Sequence, residues 1–355
     1  MQSSPTSPRG VLLQQYVCAR ITDLRGIDIA LFDYDRNNAL YYFIMNADEY
    51  IYTRYGGRDA DSADKYLDHD SLQIALEKGL ELHEQYRQGK LPAQPRPEPF
   101  FPREIASLKA AEMDRGRCVE CHLIQDYTLR DRETFATLDK VRDMYRYPDI
   151  ERIGIKIDIP NGLAVKSVNG PAKEAGVQPG DIITEFEGTS VYTFGDLQYR
   201  YDKVPRPDAE AVALTVQRGE ATKELTIALP HEWWWTDIYY RFLTIDPEYY
   251  FFTDLLTDLE KEELELPIDG FAARITEIDP AAKVFNIHTL KEDDIVTAVD
   301  GVASDTFTKS VEIYIKLNVT AGESVTLDVI REGESVQVAL KPHRQYFRKR
   351  KESEN

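Results

Sequence analysis

The residues with the sharpest chemical pattern are Cys118, Cys121 and His122, which stand in the sequence Cys-Val-Glu-Cys-His. Two thiols three positions apart on one helical turn can each add to a vinyl group of a haem. A histidine directly after the second thiol is then held under the iron as an axial ligand. The pattern therefore predicts covalent haem attachment at Cys118 and Cys121, with His122 as a metal ligand.

The second axial ligand and the alternatives to haem depend on residues outside this motif. Methionine and histidine are the usual partners, and we predict Met144, with Met113 and His83 as alternatives. A zinc site would need a fourth ligand, which His69, His83 or an acidic residue would supply. A redox dithiol and a pair of inert buried thiols are the other interpretations.

A short helical segment must position these residues, and we place it within residues 92–150, after the proline-rich linker that begins there. Over about residues 100–150 the motif resembles the attachment site of c-type cytochromes. The resemblance implies haem c as cofactor, assembly outside the cytoplasm and a possible redox partner. The first ten residues lack the apolar core of a secretory signal. A periplasmic location therefore assumes a longer precursor, and a complete N-terminus would imply the cytoplasm.

Composition narrows the classes of function. The formal net charge of −19 over 355 residues repels phosphate backbones, so we expect no nucleic-acid partner. No apolar run is long enough to span a membrane. Three cysteines are too few for a disulfide scaffold. Since no Ser-His-Asp set with a nucleophile turn is visible, we predict a binding protein rather than an enzyme.

Residues 1–91 have the pattern of a small α/β domain. We predict a strand over 16–21, a hairpin formed by 40–45 and 50–55, and a helix from Ser71. Strand, hairpin and helix in this order resemble the latter part of a thioredoxin-like fold, over about residues 10–90. Cys18, inside the predicted first strand, is expected to be a buried inert thiol.

The second half of the chain contains a repeat. The same interval of 113 residues separates Asp181 from Asp294 and Arg218 from Arg331. Two copies of one module follow, which we place at 151–231 and 263–343. An aromatic connector, expected to pack between the two modules, covers 232–262, and a basic tail covers 344–355.

The first copy contains Gly170-Pro171-Ala172, Ala175-Gly176 and Pro179-Gly180-Asp181-Ile182-Ile183. These stand as in the PDZ domains of the high-temperature-requirement proteases, which the whole module resembles. The resemblance implies that the partners are protein or peptide C-termini. Such modules accept a peptide as an added strand, and backbone N–H groups hold its carboxylate.

The peptide-binding residues are predicted from a glycine that opens a strand in each copy. A helix that begins near Thr193 is expected to form the opposite wall in the first copy. The predicted residues are Gly162, Leu163, Ala164, Val165, Phe194 and Leu197 in the first module and Gly270, Phe271 and Ala272 in the second. The alternative is a groove that is filled from within, so that the module only builds an interface.

The whole chain resembles the thioredoxin-like/PDZ proteins of planctomycete-type bacteria. Phe32-Asp33-Tyr34-Asp35, Asn46-Ala47-Asp48 and Arg54-Tyr55-Gly56-Gly57-Arg58 carry this likeness. The predicted fold class is α+β multidomain: a partial thioredoxin-like α/β domain, a short helical haem-c-like segment and two PDZ-like β-rich modules. We expect an extracytoplasmic haem-c-bearing binding or electron-transfer protein, or alternatively a haem-free PDZ adaptor.

Overall fold

The computed structural model describes residues 3–236, 238, 245–280, 282, 289–302 and 311–344. The chain divides into two compact units, residues 1–238 and 239–355. Each combines helices with β-sheets, which agrees with the predicted mixed α+β class. None of the described helices is long and apolar enough to cross a membrane.

The front of the first unit is a hairpin and a long helix. Its elements are α1 (Pro8–Leu13), β1 (Tyr42–Met45), β2 (Ile51–Tyr55) and α2 (His69–Arg87). The antiparallel pairing of β1 with β2 confirms the predicted hairpin. The carboxylate of Asp68 accepts from the backbone N–H groups of Asp70 at 2.7 Å and Ser71 at 3.2 Å, so α2 begins before Ser71.

The predicted strand over residues 16–21 is wrong. In the described part of the chain β1 and β2 pair only with each other, and residues 17–24 have no regular structure. Strand backbone needs a partner for its N–H and C=O groups, which an apolar pattern alone does not supply. Cys18 is exposed, so its prediction as a buried thiol is also wrong. The thioredoxin-like resemblance stays a prediction.

The middle of the first unit is helical, as predicted. It contains α3 (Ala106–Ala111), α4 (Cys121–Thr134) and α5 (Lys140–Met144). Its apolar side chains share one core with residues near the start of the chain. The buried members of that core are Leu24, Ile29, Ile105, Leu108, Val119 and Ile124. Residues on both sides of the predicted boundary at 91 are therefore packed together.

The first module completes this unit with a strand pair and a four-stranded sheet. Its elements are β3 (Ile155–Ile157), β4 (Val165–Val168), α6 (Gly170–Glu174), β5 (Ile182–Phe186), β6 (Thr189–Ser190), α7 (Phe194–Asp202), β7 (Ala211–Arg218) and β8 (Ala221–Ala228). Strands β3 and β4 pair with each other, and the sheet has the order β6-β5-β7-β8. Helix α7 packs on this sheet through Tyr201, whose ring contacts Phe186 edge to face at 5.9 Å.

The second module repeats the closing helix and two strands of the first within the described residues, but it has a helix between its first two strands. Its elements are β9 (Phe251–Leu255), α8 (Asp258–Glu263), β10 (Ala273–Ile278), β11 (Ile295–Val299), α9 (Val311–Asn318), β12 (Val325–Arg331) and β13 (Glu334–Leu340). The five strands form one sheet in the order β13-β12-β11-β10-β9. Strand β9 is therefore an outer strand.

An identical ion pair supports the repeat. Arg218 Nε lies 2.7 Å from Asp181 Oδ1 in the first module, and Arg331 Nε lies 2.7 Å from Asp294 Oδ1 in the second. A second guanidinium nitrogen binds the other carboxylate oxygen in both. Each carboxylate is buried, so a two-point partner offsets its desolvation. The equivalence predicted from the interval of 113 residues is confirmed.

The aromatic connector does not act as one block. Trp233 is buried and its ring packs at a tilt against Tyr201 of α7, with ring centroids 5.0 Å apart, and Trp234 packs on Tyr145 at 4.7 Å. Both contacts lie within the first unit, whereas Phe251 belongs to the core of the second module. Tyr239 and Tyr240, which were also assigned to the connector, lie outside the described residues.

Candidate peptide-binding site and the Cys-x-x-Cys-His segment

The segment predicted to receive a peptide in the first module has no open edge. On one side Val165 pairs with Ile157 of β3. On the other side the Val165 N–H donates to Asp181 O at 2.8 Å, and Ala164 forms a bridge with Ile182. A strand adds only where backbone groups are unpaired. Peptide addition beside Ala164 and Val165 stays a prediction, and it would require one of these pairings to open.

The backbone N–H groups that were predicted to hold a peptide carboxylate already donate hydrogen bonds within the module. The Gly162 N–H donates to Ile159 O at 3.2 Å, and the Ala164 N–H donates to Asn161 O at 3.3 Å. Leu163 lies in the core, with 4% of its surface exposed. These donors close the tight turn between β3 and β4, so they are not available to hold a peptide carboxylate there.

The predicted residues of the second module are placed in the same way. Its predicted residues Gly270, Phe271 and Ala272 lead into β10, which pairs with β9 on one side and β11 on the other. The Gly270 N–H donates to Pro267 O at 3.1 Å, and Ala272 O accepts from Leu256 N at 3.0 Å. Phe271 packs against the core of the module. This segment also lies inside the sheet.

The outer strand of the β3 and β4 pair is β3. The Asp158 N–H donates to Ala164 O and Gly154 O accepts from Asn169 N, so these residues face β4. Because strand residues alternate, the backbone groups of Ile155 point to the opposite edge. We missed this strand, although the sequence Gly-Ile-Lys-Ile over residues 154–157, with its alternation and leading glycine, was a signal for it.

The helix wall was predicted more closely. Leu197 is fully buried, and Phe194 at the start of α7 is 7% exposed. Phe194 lies beside Ile157 of β3 at a cavity of about 10 Å³. The structure therefore brings together the helix predicted as one wall with the strand that was missed as the other. The remaining space holds at most about one water molecule.

The two thiols do not share a helical turn. Helix α4 begins at Cys121, and Glu120 before it is extended, with φ −89° and ψ 160°. Cys118 therefore lies three residues before the helix begins. Cys118 is exposed and Cys121 is half-buried. The expectation that one turn aligns both thiols is therefore wrong.

The immediate partners of the motif are polar. The Tyr34 hydroxyl donates to Cys121 Sγ at 3.0 Å, and burial raises the pKa of Tyr34 to about 12. His122 Nε2 lies 3.2 Å from a Glu120 carboxylate oxygen, and His122 Nδ1 lies 3.7 Å from Asp126. Burial raises the pKa of Asp126 to about 6. The His122 ring is thus held between two carboxyl groups.

The residues assigned to haem do not line the cavity nearest to them. Met144 is fully buried and is not among the residues of the core that Cys121 packs against. A cavity of about 130 Å³ lies along α4, but none of Cys118, Cys121, His122 and Met144 lines it. Ligand pockets usually measure roughly 300–1,000 Å³. For the zinc alternative, no cluster of three or more His, Cys, Asp or Glu ligands occurs among the described residues.

Comparison with known proteins identifies one part of the chain. The sequence model of the PDZ domain family matches residues 165–218, from β4 to the end of β7. No curated protein matches the chain. PDZ domains typically bind peptide C-termini by strand addition. The similarity to high-temperature-requirement proteases and to planctomycete-type proteins stays a prediction, whereas the chain does contain a PDZ domain, which is a protein-interaction module.

Proposed function

We propose that this protein binds other proteins through its first PDZ module, which takes an extended segment with a free C-terminal carboxylate beside β3. The observation that carries the proposal is the PDZ match over residues 165–218. Strand β3 is an outer strand of this module, and α7 forms the facing wall through Phe194. Backbone hydrogen bonds would supply affinity, and side-chain contacts with α7 would supply specificity.

The test uses the full chain and a library of extended peptides, each made with a free and with an amidated C-terminus. Free-carboxylate peptides are expected to bind at least tenfold more tightly than their amidated copies. In hydrogen exchange, a bound peptide should slow the amide of Ile155 and leave those of Gly162 and Ala164 unchanged, since these already donate within their turn. Equal binding of both peptide forms would rule out carboxylate recognition.

Haem c attachment is a separate proposal that rests on the Cys-Val-Glu-Cys-His sequence and on the solvent access of its free thiols. Electron transfer with a redox partner and an extracytoplasmic location depend on it. The decisive sample is protein made with a leader and haem-maturation machinery, then denatured and reduced in pyridine. Haem c absorption that is lost in the Cys118→Ser variant would support attachment. No absorption, with both thiols open to alkylation, would exclude it.

A further inference from the structure

We propose that residues 53–66 are an autoinhibitory segment that closes the groove of the first PDZ module, so that a partner must displace them to reach β3. This closing segment runs from the end of β2 to Tyr66. The inference rests on the proposed function, since it identifies what occupies the same groove in the unbound chain.

The N-terminus of α7 binds the start of the closing segment. The carboxylate of Asp196 accepts from Thr53 Oγ1 at 2.5 Å and from the Arg54 N–H at 2.9 Å. The hydroxyl of Thr193 donates to Arg54 O. All three bonds are buried or partly buried, so water does not compete freely with them. The helix therefore binds a strand of its own chain at the end of the groove.

Ring contacts continue the closure along the helix. Tyr66 stacks on Phe194 with ring centroids 3.3 Å apart and 6° between the planes. Gly57 runs so close that a Cβ there would lie 2.5 Å from the Phe194 ring, and its φ of +143° favours glycine. The Gln198 amide donates to Arg58 O at 3.3 Å. Phe194, which lines the groove, and Gln198, one turn further along α7, therefore already contact the closing segment.

Too little space remains for a ligand. The cavity of about 10 Å³ has Ile157 and Gly162 on the strand side, Phe194 on the helix side and Tyr55 and Tyr66 as its cover. No side chain of a peptide fits such a volume. The closing segment therefore has to leave before an external segment can lie between β3 and α7.

Hydrogen bonds tie the closing segment to the helix side of the groove. Thr193, Asp196 and Gln198, all at or in α7, bind it. Among the described residues, no backbone hydrogen bond joins the closing segment to β3. A ligand that pairs with β3 would gain bonds that the closing segment does not make, which is a basis for displacement.

The experiment uses the full chain with Tyr66→Ala, which removes the stacking partner of Phe194. Tyr86→Ala is the matched control, because it removes a tyrosine of α2 in the same front region, whose ring contacts Tyr52 of β2 instead of Phe194. The probe is a fluorescent peptide that copies residues 51–68. It should bind the Tyr66→Ala chain at least tenfold more tightly than the wild type or the control. A copy with alanine in place of Tyr66 should lose this binding.

A second variant opens the groove by a clash instead of a deletion. Gly57→Val would force the segment away from the Phe194 ring, and it should bind the peptide like Tyr66→Ala. Hydrogen exchange should quicken in α7 in both variants and stay unchanged in β7 and β8. Equal peptide binding by all chains, or α7 exchange unchanged in both variants, would overturn the closure.

The outcomes separate this inference from the proposed function. If the peptide copy binds the opened chains while no free-carboxylate peptide does, closure stands and carboxylate recognition fails. If library peptides bind the wild type and Tyr66→Ala equally well, peptide recognition stands and closure fails.

Discussion

In the two modules, side chains of opposite charge bind the backbone that lies just before the outer strand. In the first, Asp202 of α7 accepts from the Tyr147 N–H at 2.7 Å and from Arg146 Nε at 2.8 Å, just upstream of β3. In the second, Lys316 of α9 donates to Ile245 O at 2.7 Å and Pro247 O at 3.1 Å, just upstream of β9. Both are buried. A buried backbone group needs a partner, and whether it is N–H or C=O decides the sign of the side chain.

The helices of the two modules also have different binding partners. In the second module the carboxylate of Glu312, 1% exposed, accepts from the Thr253 N–H and from Thr253 Oγ1. A helix of the same module thus satisfies an N–H of β9. In the first module the start of α7 instead binds residues 53–66 of the front region. The helix therefore bonds to an outer strand of its own module in one case and to a segment from outside the module in the other.

The largest effect is expected for Asp202→Asn. Loss of this charge leaves Arg206, 3% exposed at its side chain, without the carboxylate that lies 2.9 Å away. Breaking a buried pair on one side costs about 3–5 kcal/mol. All three tryptophans lie at 233–235, so their fluorescence during urea unfolding reports on the first unit. Asp208→Asn, at an exposed position, is the control. A loss below about 1 kcal/mol would mean that Asp202 does not hold this region.

The shared ion pair gives the next effect. Arg218→Met and Arg331→Met should each lower the free energy of unfolding of their own unit by about 1.5–3 kcal/mol, since each leaves a buried carboxylate with fewer partners. Tryptophan fluorescence follows the first unit, and hydrogen exchange of β12 follows the second. Similar losses would confirm that the ion pair contributes equally to the stability of the two units. A loss in only one unit would break that equivalence.

A smaller loss is expected for Lys316→Met, which removes the donor to two buried carbonyl groups. Leaving such groups unsatisfied costs about 1–3 kcal/mol. Hydrogen exchange of β9 and β10 measures the change, and Lys341→Met at an exposed position serves as control. If both variants behave alike, the comparison between Lys316 and Asp202 does not hold.

Acid should weaken the first unit by protonating its buried carboxylates. Burial alone would raise the pKa of Asp202, but Arg146 and Arg206 outweigh it and hold that pKa below its ordinary value. Arg146 and Lys203 likewise lower the pKa of Asp33 against its burial. This stability is present above the unfolded pKa of about 3.9 and is lost as pH falls through the lower folded values.

The measurement is the urea midpoint of tryptophan fluorescence between pH 7 and pH 2. Below about pH 4 the midpoint should fall in the wild type, and it should fall less in Asp202→Asn, which has already lost one of the two charges. An equal fall in both chains would assign the acid sensitivity to other groups.

Short-range patterns predicted several elements correctly. Two apolar runs joined through Asn46-Ala47-Asp48 predicted the hairpin, and the spacing of Leu72, Leu76 and Leu80 predicted α2. The interval of 113 residues predicted that the pairs Asp181 with Arg218 and Asp294 with Arg331 would correspond. These features depend on neighbours along the chain or on internal similarity, both of which are visible in one sequence.

Features that depend on distant pairing were not predicted. Val165 and Ala164 have the composition of a binding strand, but Ile157 and Ile182 pair with them on both sides. Cys118 has the spacing of a haem-attachment residue, but the backbone that follows it is extended.

The sequence by itself therefore determined the front hairpin, helix α2, the repeat and the presence of a PDZ domain, because local periodicity and turn residues encode them. Only the tertiary structure decided which strand lies at an edge and what covers it. Tyr66 and Phe194 are 128 positions apart in the chain, and nothing in either local pattern indicates that their rings stack. Edges and grooves arise when distant segments compete for the same backbone groups and apolar surfaces, and only the fold resolves that competition.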